Sequence, residues 1–218
     1  MMLHEDLMLL FLDEVAGGLR TDSTSIRNAL AGAVLLELVE SGRVAFEADG
    51  GKLAVVDSAP LGNEFLRESL ARIGKPMKPR RAVEELRGHV EDDVLAELDA
   101  RGVLTVEKVR VLGIFPTRAW TLHDVRAVSD LRRLVGDVAR GHRAPDDRTG
   151  ALISLLYAVK ALHKVFRGDK HEMNARAREI AAGDWAGVAV RKAVDAVHTA
   201  VTAALVAATV AAAGGGSS

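Results

Sequence analysis

The side chains able to do chemistry in this chain are scattered, and their spacing matches no common catalytic pattern. The sequence has no cysteine, which excludes disulfides, thiolate metal sites and cysteine nucleophiles. It contains no HExxH, no GxSxG and no glycine-rich phosphate loop. Asp49-Gly50-Gly51-Lys52 holds a Gly-Lys pair without the upstream glycine spacing or a following Ser or Thr, and reads as a tight turn. His142 with Asp146 and Asp147 is a candidate metal cluster; a loop capping the next helix at Asp147 accounts for the same residues. His171-Glu172 with Arg176 and Arg178 reads as an exposed helix with spaced ion pairs. The other histidines are isolated and lack the further ligands a metal needs. The expectation is no metal, no cofactor and no enzymatic activity.

Cations offer more. Arg20 and Arg27 flank the start of the second predicted helix, where free backbone N–H groups and the helix dipole favour an anion. Lys75, Lys78, Arg80 and Arg81 lie in a proline-broken basic loop. Near an anionic bilayer such cations contribute about 1 kcal/mol each. An ordinary solvated surface is the competing reading for both groups.

These residues must be held by mostly helical elements. Leu3, Leu7, Leu10, Phe11 and Glu14 follow helical spacing in a first helix over 3–15, with Asp6 and Asp13 facing elsewhere and Gly17-Gly18 as the stop. A second helix over 26–39 is apolar all round from Ala29 to Leu36, the mark of a buried central helix. A hairpin follows, with strands over 43–48 and 53–56. Helices are predicted over 61–73, 82–89 and 93–100. A second strand pair over 103–115 ends at Pro116, and further helices span 122–139, 147–166, 171–182 and 184–213. The uncharged run from Thr199 to Ala213 covers about 22 Å as helix, short of the roughly 30 Å hydrocarbon core, and reads as a packing helix. Residues 214–218 read as a flexible tail. The acidic start of the chain does not resemble a signal peptide.

Residues 36–56 and 95–115 echo one another: helix, glycine, strand, turn, strand. Helix followed by hairpin is also the winged-helix theme, so a nucleic-acid binder is one candidate. The helices before both hairpins carry Glu37 and Glu40, and Glu97 and Asp99, where a recognition helix needs Arg, Lys, Asn or Gln. Composition points the same way. The chain of 218 residues is 49% hydrophobic and 27% charged, with 29 basic and 30 acidic residues and a net charge of -1, so it has no global field to draw in nucleic acid. Aromatics at 4% supply few stacking platforms.

Five segments occur in a recognisable order: Leu3-His4-Glu5-Asp6-Leu7-Met8-Leu9-Leu10; Leu35-Leu36-Glu37-Leu38 before Ser41-Gly42-Arg43-Val44; Asp57-Ser58-Ala59-Pro60-Leu61-Gly62-Asn63; the helix from Leu66 to Ile73; and Arg101-Gly102-Val103-Leu104-Thr105 with Glu107-Lys108. In this order they resemble the Golgi phosphoprotein 3 family over residues 3–213. The chain lacks the basic N-terminal arm of the eukaryotic members, and its Ala, Arg and Val richness is that of a bacterial homologue.

The resemblance implies a single mainly helical domain around a buried central helix, with two small β-hairpins. It also implies a non-enzymatic peripheral membrane adaptor that binds phosphatidylinositol 4-phosphate and the cytosolic tails of membrane proteins. Such a protein would be cytoplasmic, or peripheral on the inner face of the membrane. One hairpin, over 105–118 here, would mediate oligomerisation, with Leu104, Val109, Leu112, Ile114 and Phe115 as contact residues. The family's head-group positions transfer poorly: its tryptophan falls at Asp22, its first arginine at Ala31, and its later arginine pair at Arg87 and Glu91. Arg87 is the one cation kept. The alternative anion site is Arg20, Arg27, Lys75, Lys78, Arg80 and Arg81. The competing function is a soluble oligomeric interaction module that has lost lipid binding.

Overall fold

The computed structural model describes residues 1–13, 17–47, 51–59, 61–111, 115–182 and 188–214, with side chains at all of these except 108–111, 115–118, 188–191 and 211–214. The described residues form ten helices and two two-stranded antiparallel sheets. The order is α1 (Leu3–Phe11), α2 (Ser23–Glu40), β1 (Val44–Phe46), β2 (Leu53–Val55), α3 (Glu64–Arg72), α4 (Pro79–Leu86), α5 (Val90–Ala100), β3 (Leu104–Val111), β4 (Phe115–Leu122), α6 (Val125–Ala139), α7 (Asp147–Ala158), α8 (Leu162–Val165), α9 (Lys170–Ala181) and α10 (Val188–Gly214). The mainly helical class expected from the sequence is the one the chain adopts.

Helix α2 is the centre. Every residue from Asn28 to Leu38 is buried, and α1, α4, α5, α7 and α10 pack around it. A helix without a polar stripe has no face to give to water, so it becomes the axis others cover. Gly32 sets the closeness of that packing: a Cβ there would lie 2.8 Å from both Leu155 Cδ2 and Val201 Cγ2. Helix α10 lies chiefly against α2 and α4, burying Val194, Val197, Val201 and Ala204. Its stretch from Lys192 to Val210 is long and apolar enough to cross a membrane by length and composition, with a mean hydropathy of 1.6 and a third of it buried.

Helix α1 departs from its sequence reading. All nine of its residues are buried, including His4, Glu5 and Asp6. The reason is that each charge meets its opposite from another element. His4 Nδ1 donates to Glu37 at 2.5 Å and Nε2 donates to Glu97 at 2.8 Å. Glu5 accepts from Arg101, and Asp6 from Arg148. Burial by itself would lower the His4 pKa, but the hydrogen bonds and charges of Glu37 and Glu97 outweigh it and raise it to about 9. Burial likewise works to raise Glu97, and the bonds from His4 and Asn63 hold it below its ordinary value. Burial lifts Asp6 despite Arg148 beside it. The helix ends at Phe11, before Gly17-Gly18; Leu12 pairs with Leu19 in an isolated bridge.

Four helices end in the same motif, in which one residue past the cap takes a left-handed conformation and two backbone N–H groups return to the last turn. Gly42, Gly102 and Gly141 hold that position in α2, α5 and α6, at φ of 70°, 66° and 79°. After α7 the residue is Lys160, at φ 55°, with Lys160 N–H bonded to Tyr157 O at 3.0 Å and Ala161 N–H to Leu156 O at 2.8 Å. This turn breaks the continuous helix expected over 147–166 into α7 and α8.

Other boundaries moved for local reasons. Strand β4 runs through Pro116 to Leu122, with Pro116 opposite Arg110; a two-stranded ribbon consists of edges, where a residue without an N–H is tolerated. Helix α6 therefore starts at Val125, capped by Asp124, rather than at Leu122. The basic loop expected over 75–81 is shorter, because Pro79 opens α4 and carries Arg80 and Arg81 into its first turn. The cap of α7 is Asp146, not Asp147; its carboxylate takes the Thr149 N–H at 2.8 Å in a capping box, the use that competed with a metal cluster. Gly214 is the last residue of α10, and 215–218 lie outside the described residues.

Candidate functional site

Two of the cations singled out in the sequence share one cavity. Arg27, on the second turn of α2, and Arg87, the residue that caps the end of α4, line a cavity of about 250 Å³ together with Thr24, Gly88 and Ala208. Three elements build it. Helix α4 buries Ala82, Val83 and Leu86 against α2 and α10, so the chain leaving α4 at Arg87-Gly88 is delivered beside the start of α2. Helix α10 closes the third side with the small Ala208.

The two arginines are not equivalent. The Arg87 guanidinium has no hydrogen bond or ion pair among the described residues and is half-buried. Arg27 donates from Nε to Ser23 O at 3.2 Å and lies 3.9 Å from Glu91. Glu91 thus adds a negative charge beside one of the two cations. The backbone N–H groups at the start of α2 are not all open to an anion either: Asp22 caps the helix, accepting from the Ser25 N–H and the Ser25 hydroxyl at 2.8 Å each. Burial works to raise the Asp22 pKa, and these bonds bring it below its ordinary value.

The remaining cations go elsewhere. Arg20 donates to Leu12 O at 3.0 Å and lies 3.8 Å from Asp13, so it ties down the connection after α1. Arg80 pairs with Glu84 at 2.9 Å, and Arg81 pairs with Glu85 at 2.5 Å. Lys75 and Lys78 are exposed on the loop before α4. In the long hairpin Leu104 is wholly buried and belongs to the core. Val109 and Phe115 lie within the paired strands, opposite Thr117 and Val111. Leu112 and Ile114 lie outside the described residues.

The sequence reading missed a second basic group. A cavity of about 510 Å³ adjoins the first, sharing Thr24 and Ala208, and is lined by Lys160, His163 and Lys164 with Val159, Leu205 and Val206. Burial, then Lys170 and Lys164, lower the His163 pKa, so its imidazole is neutral at pH 7. The only trace of this group in the sequence is a lysine interrupting an apolar helical run. The larger cavity beside α1, about 590 Å³, is lined by Glu37, Glu40, Asp147 and Arg148 among apolar residues, a balance of charge that disfavours an anionic ligand.

The sequence profile of the Golgi phosphoprotein 3 (GPP34) family matches residues 3–197. No curated protein matches the chain.

Proposed function

The chain belongs to the Golgi phosphoprotein 3 family, and on that footing we propose that it is a non-enzymatic peripheral membrane module that binds the phosphorylated head group of an anionic phospholipid. One observation carries the reading: the guanidinium of Arg87, unpaired among the described residues, and that of Arg27 line one cavity at the start of the central helix. Two guanidinium groups converging on a concave site suit the oxygens of a phosphate. Phosphatidylinositol 4-phosphate is the head group that the family resemblance supplies; cytosolic tails of membrane proteins are the further partners it supplies. Asp22, Ala31 and Glu91 stand where the family has its tryptophan and arginines, so this site works with fewer contacts and binds more weakly.

Co-sedimentation with liposomes tests this. Phosphatidylcholine vesicles are compared with vesicles that also contain phosphatidylinositol 4-phosphate or phosphatidylglycerol, at low and physiological salt. The parent should bind the anionic vesicles, less at higher salt, and Arg27→Ala with Arg87→Ala should remove most of that binding. Equal binding by the double variant sinks the assignment of the cavity.

The long hairpin supports self-association alongside this function. Strands β3 and β4 pair only with each other among the described residues, leaving both outer edges of an eight-residue ribbon open. Sedimentation equilibrium of the parent against a chain with a proline in β3 tests it: a parent that stays monomeric at high concentration removes the oligomer reading.

A further inference from the structure

We propose that the last described turns of α10, flanked by Lys160, form the face that docks onto an anionic bilayer, with Val206 and Val210 entering its surface. This rests on the head-group reading above and extends it, because it says which side of the molecule meets the lipid.

Val206 and Val210 are 54% and 65% exposed, while nearly all other large apolar side chains of the described residues are covered. They are four residues apart on one helix, so they share a face. Val206 lines the 510 Å³ cavity, and Ala208 between the two valines also lines the Arg27–Arg87 cavity. Thr24 and Ala208 line both cavities, so the cavity that Val206 borders adjoins the proposed head-group site.

Charge completes the case. Lys160 and Lys164 line the cavity that Val206 borders, and Arg27 and Arg87 line its neighbour. Two acids stand among them. Asp22 is engaged as a helix cap and lies 3.9 Å from Lys164, and Glu91 is 3.9 Å from Arg27. Cations around an exposed apolar tip complement the head-group region of an anionic bilayer, which takes apolar side chains below and counter-charges above.

Lys160 supplies an independent sign. Three of the four helix ends of its kind use glycine at the left-handed position, and only Lys160 departs from that. A side chain there is strained, and its ammonium is exposed and has no partner among the described residues. Strain kept at an exposed lysine is explained when that ammonium has a task outside the fold.

The absence of cysteine makes the test direct. Single cysteines at Val206→Cys and Val210→Cys, and at the exposed Val56→Cys as control, are labelled with an environment-sensitive fluorophore. Phosphatidylcholine vesicles with and without phosphatidylglycerol are then added. The probes at 206 and 210 should brighten and shift to the blue with the anionic vesicles alone, and the probe at 56 should not respond. Lys160→Gly should bind those vesicles about fivefold more weakly while melting a few degrees higher. Silent probes at 206 and 210 on protein that co-sediments overturn the docking face and leave the head-group reading intact. So does a Lys160→Gly chain that binds like the parent. Responding probes on a chain carrying Arg27→Ala and Arg87→Ala support the face and count against the head-group cavity. A parent that binds no vesicle overturns both.

Discussion

Glu37 and Glu97 hold the two nitrogens of a single buried imidazole, and each stands five residues before the left-handed glycine that ends its helix. Gly42 and Gly102 each lead into a hairpin, so the carboxylates occupy equivalent places in the two echoing halves of the chain. His4 is the bolt between those halves, contributed by a third element and resting against the Phe65 ring at 4.9 Å.

The first prediction concerns pH. His4 has a folded pKa of about 9 against an ordinary 6.5, so the folded state holds the proton more tightly than the unfolded one. The resulting stability is complete below pH 6.5 and is lost as pH rises through 9. The upper bound is about 3 kcal/mol, from roughly 1.4 kcal/mol per unit. Urea unfolding of the parent and of His4→Gln at pH 6 and pH 9.5 measures it. The parent should lose stability over this range by more than the variant does; parallel losses would refute the bridge.

The second prediction isolates one carboxylate. Glu97→Gln removes half of the clamp and leaves the Glu37 contact in place. The histidine resonances of the variant should show His4 titrating nearer its ordinary value. The fold should lose about 3 kcal/mol, the lower end for breaking a buried pair. A His4 titration unchanged from the parent would show that Glu97 is not its partner in solution.

Packing of the central helix yields the third. Gly32→Val adds atoms where even a Cβ would meet Leu155 and Val201 at 2.8 Å, so α7 and α10 must move away from α2. The expected loss is about 1–3 kcal/mol or more, read as a lower urea midpoint. An unaltered midpoint would mean that α2 and its neighbours do not approach this closely.

The head-group cavity gives the fourth. Glu91→Gln removes the negative charge 3.9 Å from Arg27. Binding to anionic vesicles should tighten about fivefold, the effect of roughly one charge near a bilayer surface, with a steeper dependence on salt. Weaker binding would mean that Glu91 positions Arg27 productively rather than opposing the lipid.

Much of the fold is legible in the sequence because its signals are local. The all-apolar run from Ala29 to Leu36 marks α2 as the buried axis without reference to any neighbour. Gly42 and Gly102 mark helix ends, since glycine alone takes the left-handed turn without strain. Lys160 makes the same turn and is illegible for the same reason: no local rule selects lysine there.

The site divides along that line. The residue types, their order and the family pattern come from the chain alone, because each is read position by position. Tertiary structure alone decides that Arg27 and Arg87 face one cavity while Arg20, Arg80 and Arg81 turn to Asp13, Glu84 and Glu85. It also decides that His4, Glu5 and Asp6 are buried. The helical spacing turns Asp6 away from the apolar face, and only partners distant in the chain, Glu37, Glu97, Arg101 and Arg148, make the burial of the three tolerable. Charge pairing acts through space over a few ångströms, and the distance between two residues along the chain does not determine whether they come that close.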